Sequence, residues 1–226
     1  MPLSTRAEGL ELLDGDHLDP QELDRNLREM AMLNRLPGGA GSSVRAVSAL
    51  LDGQPDATVL DVGVGSGDFV RRLAARRRGV HAIGLDLHPQ VLALARRNLA
   101  DTNHVTLIEG DARSLPLADG AVDVSHASLL LHHLAPAEAV TALREMRRVS
   151  RRGVVVNDLR RGRLAFAVTA ALVLALARAR YTRHDGVLSA RRAYTLRELD
   201  ELAAAAGLRL VSRSPAILPR VTSVYA

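Results

Sequence analysis

From residue 57 onward the chain alternates short apolar runs with amphipathic segments, and this rhythm limits the possible folds more than any other feature. Ala57 to Val62, Val80 to Leu85, Val105 to Ile108, Val122 to His126 and Gly153 to Val156 are strand-like. Val91 to Leu99 and Pro136 to Val149 carry helical spacing, the second starting on a proline that needs no amide hydrogen there. Strands apolar on both faces and separated by helices predict a doubly wound α/β fold, with a mainly parallel sheet covered on each side. Ligands of such sheets bind outside the carboxyl ends of the strands. Leu208 to Val211 and Val221 to Tyr225 add two last strands, and the short loop between them, with Pro215 and Pro219, favours an antiparallel hairpin at the sheet edge. The expected sheet therefore has seven strands.

Two helical regions flank this core. Asp19 and Pro20 start a helix whose apolar residues Leu23, Leu27, Met30 and Leu33 repeat until Pro37, Gly38 and Gly39 break it. A second helix runs around Val44 to Leu51. After the fifth strand, Leu164 to Ala177 is a nearly unbroken apolar helix of 14 residues, too short for the roughly 20 that span a bilayer. No transmembrane segment is expected. Apolar on all sides, this helix calls for cover from the domain, from a partner subunit as in a homodimer, or in part from an oily ligand. A polar stretch, Arg178 to Arg192, reads as a loop; then Thr195 and Glu198 form a capping box, and Gly207 closes the helix they begin.

Composition narrows the function classes. All thirty basic residues are arginine, yet the net charge is only +5 and the clusters are short and scattered, which reads as a solvated surface rather than a nucleic-acid face. Aromatic residues make up 2%, too few for base-stacking platforms. Cysteine is absent, which excludes disulfides, thiolate metal sites and a cysteine nucleophile, and suits a cytoplasmic setting. The stretch Met1 to Leu13 lacks the apolar segment of a secretory signal.

The most informative residues lie where the first strand turns into a helix: Asp61, Val62, Gly63, Val64, Gly65, Ser66, Gly67. Glycines permit a sharp turn and close approach of a ligand, but a nicotinamide dinucleotide domain uses a similar turn. Here the spacing is G-x-G-x-G, and a carboxylate near the loop suits an ammonium or sulfonium better than a pyrophosphate. Asp86 ends the second strand, where it can accept both ribose hydroxyl hydrogens. Asp111 follows the third, where it can accept from an adenine amino group while the Ala112 amide meets the ring edge.

Together, VLDVGVGSGDF (59–69), GLDLHPQVLALAR (84–96), EGDARSLPLADGAVDVSHASLLLHHL (109–134) and REMRRVSRRGVVVND (144–158) resemble the class I S-adenosylmethionine-dependent methyltransferases, in particular the ubiquinone/menaquinone-methyltransferase-like small-molecule branch. The resemblance implies a Rossmann-like methyltransferase fold and S-adenosylmethionine as cofactor, with S-adenosylhomocysteine as product. It implies that Asp61, Gly63, Gly65 and Gly67 hold the methionine part, Asp86 the ribose, Leu87 the adenine face, and Asp111 with Ala112 the adenine edge. His126 and Ala127 would line the transfer site, and Arg35, at the end of an N-terminal helix that covers the cofactor in similar enzymes, would pair with the methionine carboxylate. The expected organisation is an N-terminal helical segment, 1–54, over the cofactor site and a methyltransferase domain, 55–226, with a helical cap inserted at about 159–194.

The acceptor is expected to be small and apolar or aromatic, with O-methylation of a phenolic, quinone-precursor or polyketide-type secondary metabolite as the leading reading. C- or N-methylation on the same scaffold and a non-catalytic cofactor-binding module remain alternatives. A hydroxyl acceptor must lose its proton, so histidines and carboxylates beyond the fourth and fifth strands are the candidates. His133 follows the fourth strand beside His132, in a sequence that also reads as the end of a buried turn. Asp158 and Asn157 end the fifth strand. His184, next to Asp185 and Gly186 in the cap, is the third candidate. No metal is assigned, because His126 stands near the place of the carboxylate that would complete a metal set.

Overall fold

The computed structural model describes residues 3, 5–15, 19–215 and 219–226. The stretch read as lacking a signal, the N-terminal segment 1–54 and the last loop each include residues outside this set, namely 1, 2, 4, 16–18 and 216–218. Among the described residues seven strands form one sheet: β1 (Thr58–Val62), β2 (His81–Asp86), β3 (Val105–Glu109), β4 (Val122–Ser128), β5 (Ser150–Leu159), β6 (Leu210–Arg213) and β7 (Arg220–Tyr225). The order is β3-β2-β1-β4-β5-β7-β6, with β1 to β5 parallel and β7 antiparallel to both its neighbours. The hairpin lies at one edge of the sheet, with β6 outermost and β7 between β5 and β6. The chain reverses direction across the sheet between β1 and β4, which opens a crevice at their carboxyl ends.

Alternate residues of β1 point into different cores, as a two-residue period requires. Leu60 and Val62 meet Leu143 and Met146 of α5 (Pro136–Val149) and Leu199 and Ala203 of α8 (Leu196–Ala205) on one side. Val59 meets Val47 of α2 (Ala40–Leu50), Leu73 of α3 (Asp68–Arg76) and Ala95 of α4 (Pro89–Asn98) on the other. Thr195 caps α8, accepting from Glu198 N at 3.2 Å while Thr195 N donates to Glu198 Oε2 at 2.7 Å. Asp19 caps α1 (Pro20–Leu33) in the same manner through Gln21 N and Glu22 N.

Two further helices, α6 (Arg163–Leu176) and α7 (Arg180–Arg192), sit with α1 over the strand ends. The polar stretch read as a loop is thus a helix. Its inward face carries Tyr181, Thr182, Asp185, Ser189 and Arg192, helical spacing written in polar residues. Those groups are satisfied by the N-terminal region: Thr182 Oγ1 accepts from Asn26 Nδ2 at 3.1 Å, and Asp185 accepts from Leu12 N and Leu13 N at 2.9 and 3.1 Å. Glu22 and Glu29 of α1 accept from the amides of Arg178, Ala179 and Arg180, where the start of α7 favours negative charge. Cover of α6 is one-sided. Ala165, Thr169 and Val173 are buried, with Val173 against Gly186 of α7, whereas Leu164, Leu174 and Leu176 are exposed. Among the described residues, no helix is long and apolar enough to cross a membrane.

Candidate functional site

The crevice and the three covering helices enclose a cavity of about 680 Å³. At one end it is lined by the turn after β1. Gly63, Gly65 and Gly67 all have positive φ, 73°, 52° and 79°, which only glycine adopts freely. A Cβ at Gly65 would meet nothing within 4 Å and would project into open space, whereas one at Gly67 would lie 2.6 Å from Leu99. Gly63 and Gly65 thus line the cavity, and Gly67 instead permits α3 to pack against α4.

The three acidic strand tips differ in state. Asp61 is buried, and burial pushes its carboxyl above the ordinary range although His126 Nδ1 lies 2.7 Å from its Oδ1. Asp86 is half-buried and also pushed up by burial; its oxygens accept from Gly65 N at 3.1 Å and His88 N at 3.2 Å. Leu87 beside it is 52% exposed, an apolar face on the cavity wall. Asp111 lines the cavity with Ala112, and both its oxygens accept from Arg113, whose hydrogen bonds hold Asp111 below the ordinary range. Arg113 is fixed in turn by Glu138.

Three residues expected at the site, His126, Ala127 and Arg35, lie elsewhere, Ala127 being buried and absent from the cavity wall. His126 is fully buried beneath Asp61, stacked on Phe69 at 3.8 Å, and its Nε2 has no hydrogen-bond partner among the described residues. It braces Asp61 from below. Ser128, two residues on, is the β4 side chain that reaches the cavity. Arg35 is exposed and does not line the cavity; the buried arginine on its wall is Arg220, at the start of β7.

At the other end two of the candidate bases, His133 and Asp158, form a cluster with His132 and Glu11. His132 and His133 sit in a short 3-10 helix, Leu131–His133, held by Arg6, Arg192 and Tyr194 through the carbonyl oxygens of His132, His133 and Leu134. His132 Nδ1 lies 2.6 Å from Asp158 Oδ1, both side chains being buried. Burial raises the Asp158 pKa, but the charge and hydrogen bond of His132 outweigh it and hold the carboxyl below the ordinary range. On the far side of the ring, Glu11 Oε1 stands 3.9 Å from His132 Nε2, and Glu11 Oε2 stands 3.6 Å from His133 Nε2. Donor atoms of Glu11, His132 and His133 fall within 4.8 Å of one another, and Arg192 Nη1 brings positive charge to 3.7 Å from Glu11. His184 is not part of this group. Its side chain is 53% exposed on the outer side of α7, outside the cavity lining, although its Nδ1 pairs with Asp185 at 2.8 Å.

Sequence reasoning did not find Glu11 or Arg220. Glu11 precedes the first regular helix in a stretch with no motif. Arg220 carried a weak signal: directly after Pro219 and opening a strand antiparallel to β5, it comes opposite Leu159 and next to Asn157.

A doubly wound sheet with a glycine turn after β1 and acidic groups at successive strand tips defines an α/β domain built for an adenosyl ligand. Residues 59–153 match the family described as a methyltransferase domain. The chain is 40% identical over 80 residues to the demethylmenaquinone methyltransferase of Thermus thermophilus, an overlap of 35% of this chain and 36% of that protein. It is 35% identical over 108 residues to the malonyl-acyl-carrier-protein O-methyltransferase of Pectobacterium atrosepticum, covering 48% and 40%. The chain thus spans well under half the length of these relatives. A solved S-adenosylmethionine-dependent methyltransferase from Aquifex aeolicus shares the fold, with a TM-score of 0.64 at 16% identity over 92% of this chain and 98% of that one. Over this stretch the chain is similar to S-adenosylmethionine-dependent methyltransferases, and it shares their fold.

The residues present fit that cofactor. Gly65 leaves a cradle that any Cβ would fill, the Asp86 oxygens each bind one backbone amide and keep lone pairs for a diol, and Leu87 offers an apolar face.

Proposed function

We propose that this protein methylates an oxygen atom of a small, largely apolar acceptor, of phenolic, quinone-precursor or polyketide type, held in the cavity under α1, α6 and α7. Asp86, Leu87, Asp111 and the turn from Asp61 to Gly65 hold the cofactor. When bound there, S-adenosylmethionine supplies an electrophilic methyl group: the acceptor oxygen gains the carbon, and the sulfur keeps the electron pair of the broken bond as S-adenosylhomocysteine.

The observation that carries this reading is His132 on the wall of the same cavity, paired with the buried Asp158 behind it. An ionised Asp158 fixes the proton of His132 on Nδ1, which leaves the Nε2 lone pair to take a hydroxyl proton. Glu11, on the Nε2 side, stabilises the positive charge that the ring then acquires. Leu23, Leu27, Met30, Leu172 and Val173 supply an apolar wall and keep water from the reacting atoms. The O-methyltransferase among the relatives supports oxygen as the atom modified, and the demethylmenaquinone enzyme supports a quinone-like body.

Incubating the purified protein with S-adenosylmethionine and a panel of hydroxyaromatic acceptors, with mass spectrometry of the products, tests the proposal. One O-methylated product, formed with an equal amount of S-adenosylhomocysteine, is expected. A methyl group found on carbon or nitrogen would overturn the oxygen assignment, and no consumption across the panel would count against the acceptor class.

A further inference from the structure

Arg220 is a buried cation whose partners are all neutral. Its side chain lines the cavity, yet the residue is only 9% exposed. Nε donates to Asn157 Oδ1 at 3.1 Å, Nη2 donates to Ser128 Oγ at 2.8 Å, and Nη1 donates to Asn34 Oδ1. Asn157 is itself fixed, because its Nδ2 donates to Gly38 O, Gly39 O and Ser43 Oγ at 3.0, 3.1 and 2.9 Å, so its oxygen is committed to the guanidinium. Among the described residues no carboxylate comes within ion-pair distance of Arg220; Asp158 and Asp68 act on it only from further away. Burial accordingly pushes its pKa down to about 10.

A guanidinium has five N–H donors, of which this cradle uses three. One hydrogen on each terminal nitrogen is left, a pair suited to the two oxygens of a carboxylate. A desolvated charge without a counter-charge is costly, and ordinarily such a group is paired. Arg220 is held by Asn34 just past α1 and by residues of β4 and β5, beside the cavity, in the state expected of a site whose counter-ion arrives with a ligand.

We propose that Arg220 is the anion-holding residue of the cavity and receives a carboxylate-class oxyanion of a bound ligand, from an acidic acceptor or from the amino-acid end of the cofactor. This rests on the methyl-transfer reading and narrows it: an acceptor that uses Arg220 has an apolar body and one acidic group.

Binding calorimetry on wild type and Arg220→Gln separates the sources. Four probes are needed: S-adenosylhomocysteine, 5′-methylthioadenosine, which lacks the amino-acid end, 2-naphthoate and its neutral analogue 2-naphthylmethanol. The naphthyl probes are titrated both with and without saturating S-adenosylhomocysteine. If the acceptor supplies the anion, wild type binds naphthoate at least tenfold more tightly than the alcohol, and the variant loses that preference. If the cofactor supplies it, the variant binds S-adenosylhomocysteine at least tenfold more weakly while 5′-methylthioadenosine is unchanged. A variant that binds all four probes within twofold of wild type would overturn the proposal. Should Arg220→Gln lose 5′-methylthioadenosine too, Arg220→Lys takes its place: retained binding of the neutral nucleoside with a weakened carboxylate preference supports the assignment. Loss of the nucleoside in both variants makes Arg220 a structural brace and overturns it. Wild type that binds naphthoate through Arg220 but neither nucleoside would leave the anion site standing and remove the methyl-transfer reading.

Discussion

Asp158 Oδ1 and His132 Nδ1 are 2.6 Å apart in a buried pair that joins the end of β5 to the turn after β4. The carboxylate lies behind the imidazole, and the imidazole faces the cavity. A positioned base of this kind contributes about 10²- to 10⁴-fold in rate. Replacing His132 with Gln should lower kcat on a hydroxyl acceptor by about 100-fold or more, with the affinity for S-adenosylhomocysteine within twofold of wild type. Equal turnover by the variant would take His132 out of the mechanism.

The same pair makes stability depend on pH. Because Asp158 ionises below the ordinary carboxylate range in the folded protein, its contribution is complete above the unfolded value of about 3.9 and is lost as the pH falls through the lower folded value. Asp158→Asn should therefore have a lower urea midpoint than wild type at pH 7, and the two midpoints should converge on acidification below about pH 4. A gap that stays constant with pH would show that the pair adds no such linkage.

In the proposed function Asp86 receives the ribose of the cofactor, and each of its oxygens already accepts one backbone amide. Asp86→Ala should weaken S-adenosylhomocysteine binding at least about tenfold, the loss expected when a charged hydrogen-bonding partner is removed, without a change in the circular dichroism spectrum. Unchanged affinity by calorimetry would refute the assignment. Since burial raises the pKa of this carboxyl, wild-type binding should also weaken as the pH falls through that raised value, and the variant should lack this acid limb.

At the turn itself, Gly67 has φ of 79° and faces Leu99, where an added Cβ would stand 2.6 Å from Cδ1. Gly67→Ala combines a strained backbone with overpacking, and a destabilisation of about 1–3 kcal/mol is expected in denaturant titration. A variant of wild-type stability would mean that α3 and α4 can separate without loss.

His184 gives the opposite expectation. More than half exposed and outside the cavity, it is joined to the site through Asp185, which caps the N-terminal 3-10 helix Leu12–Asp14. His184→Gln should retain turnover within twofold, whereas Asp185→Ala should raise KM for the acceptor as the segment carrying Glu11 loosens. A large kcat loss in His184→Gln would return that histidine to the chemistry.

The sheet, its parallel centre and the glycine turn were legible because apolar runs and glycines carry their physics locally. Helix α7 was not, since its buried face is Tyr181, Thr182, Asp185 and Ser189, polar groups whose partners lie far away in sequence at Asn26, Leu12 and Glu11. The same distance hid the other end of the cavity. Glu11 meets His132 and His133 only after the N-terminal segment folds across the cap, and Arg220 meets Ser128 and Asn157 only when β7 enters between β5 and β6. His126 was placed on the right strand but given the wrong depth: on β4 its side chain points to Phe69 and Asp61, while Ser128 reaches the cavity.

The most direct measurement is a crystal structure of the protein grown with S-adenosylhomocysteine. The account predicts the ribose hydroxyls on Asp86, the adenine between Leu87 and Ala112, and the sulfur facing the space bounded by Ser128 and His132. Density for the nucleoside anywhere else, or a dinucleotide preferred in its place, would contradict it.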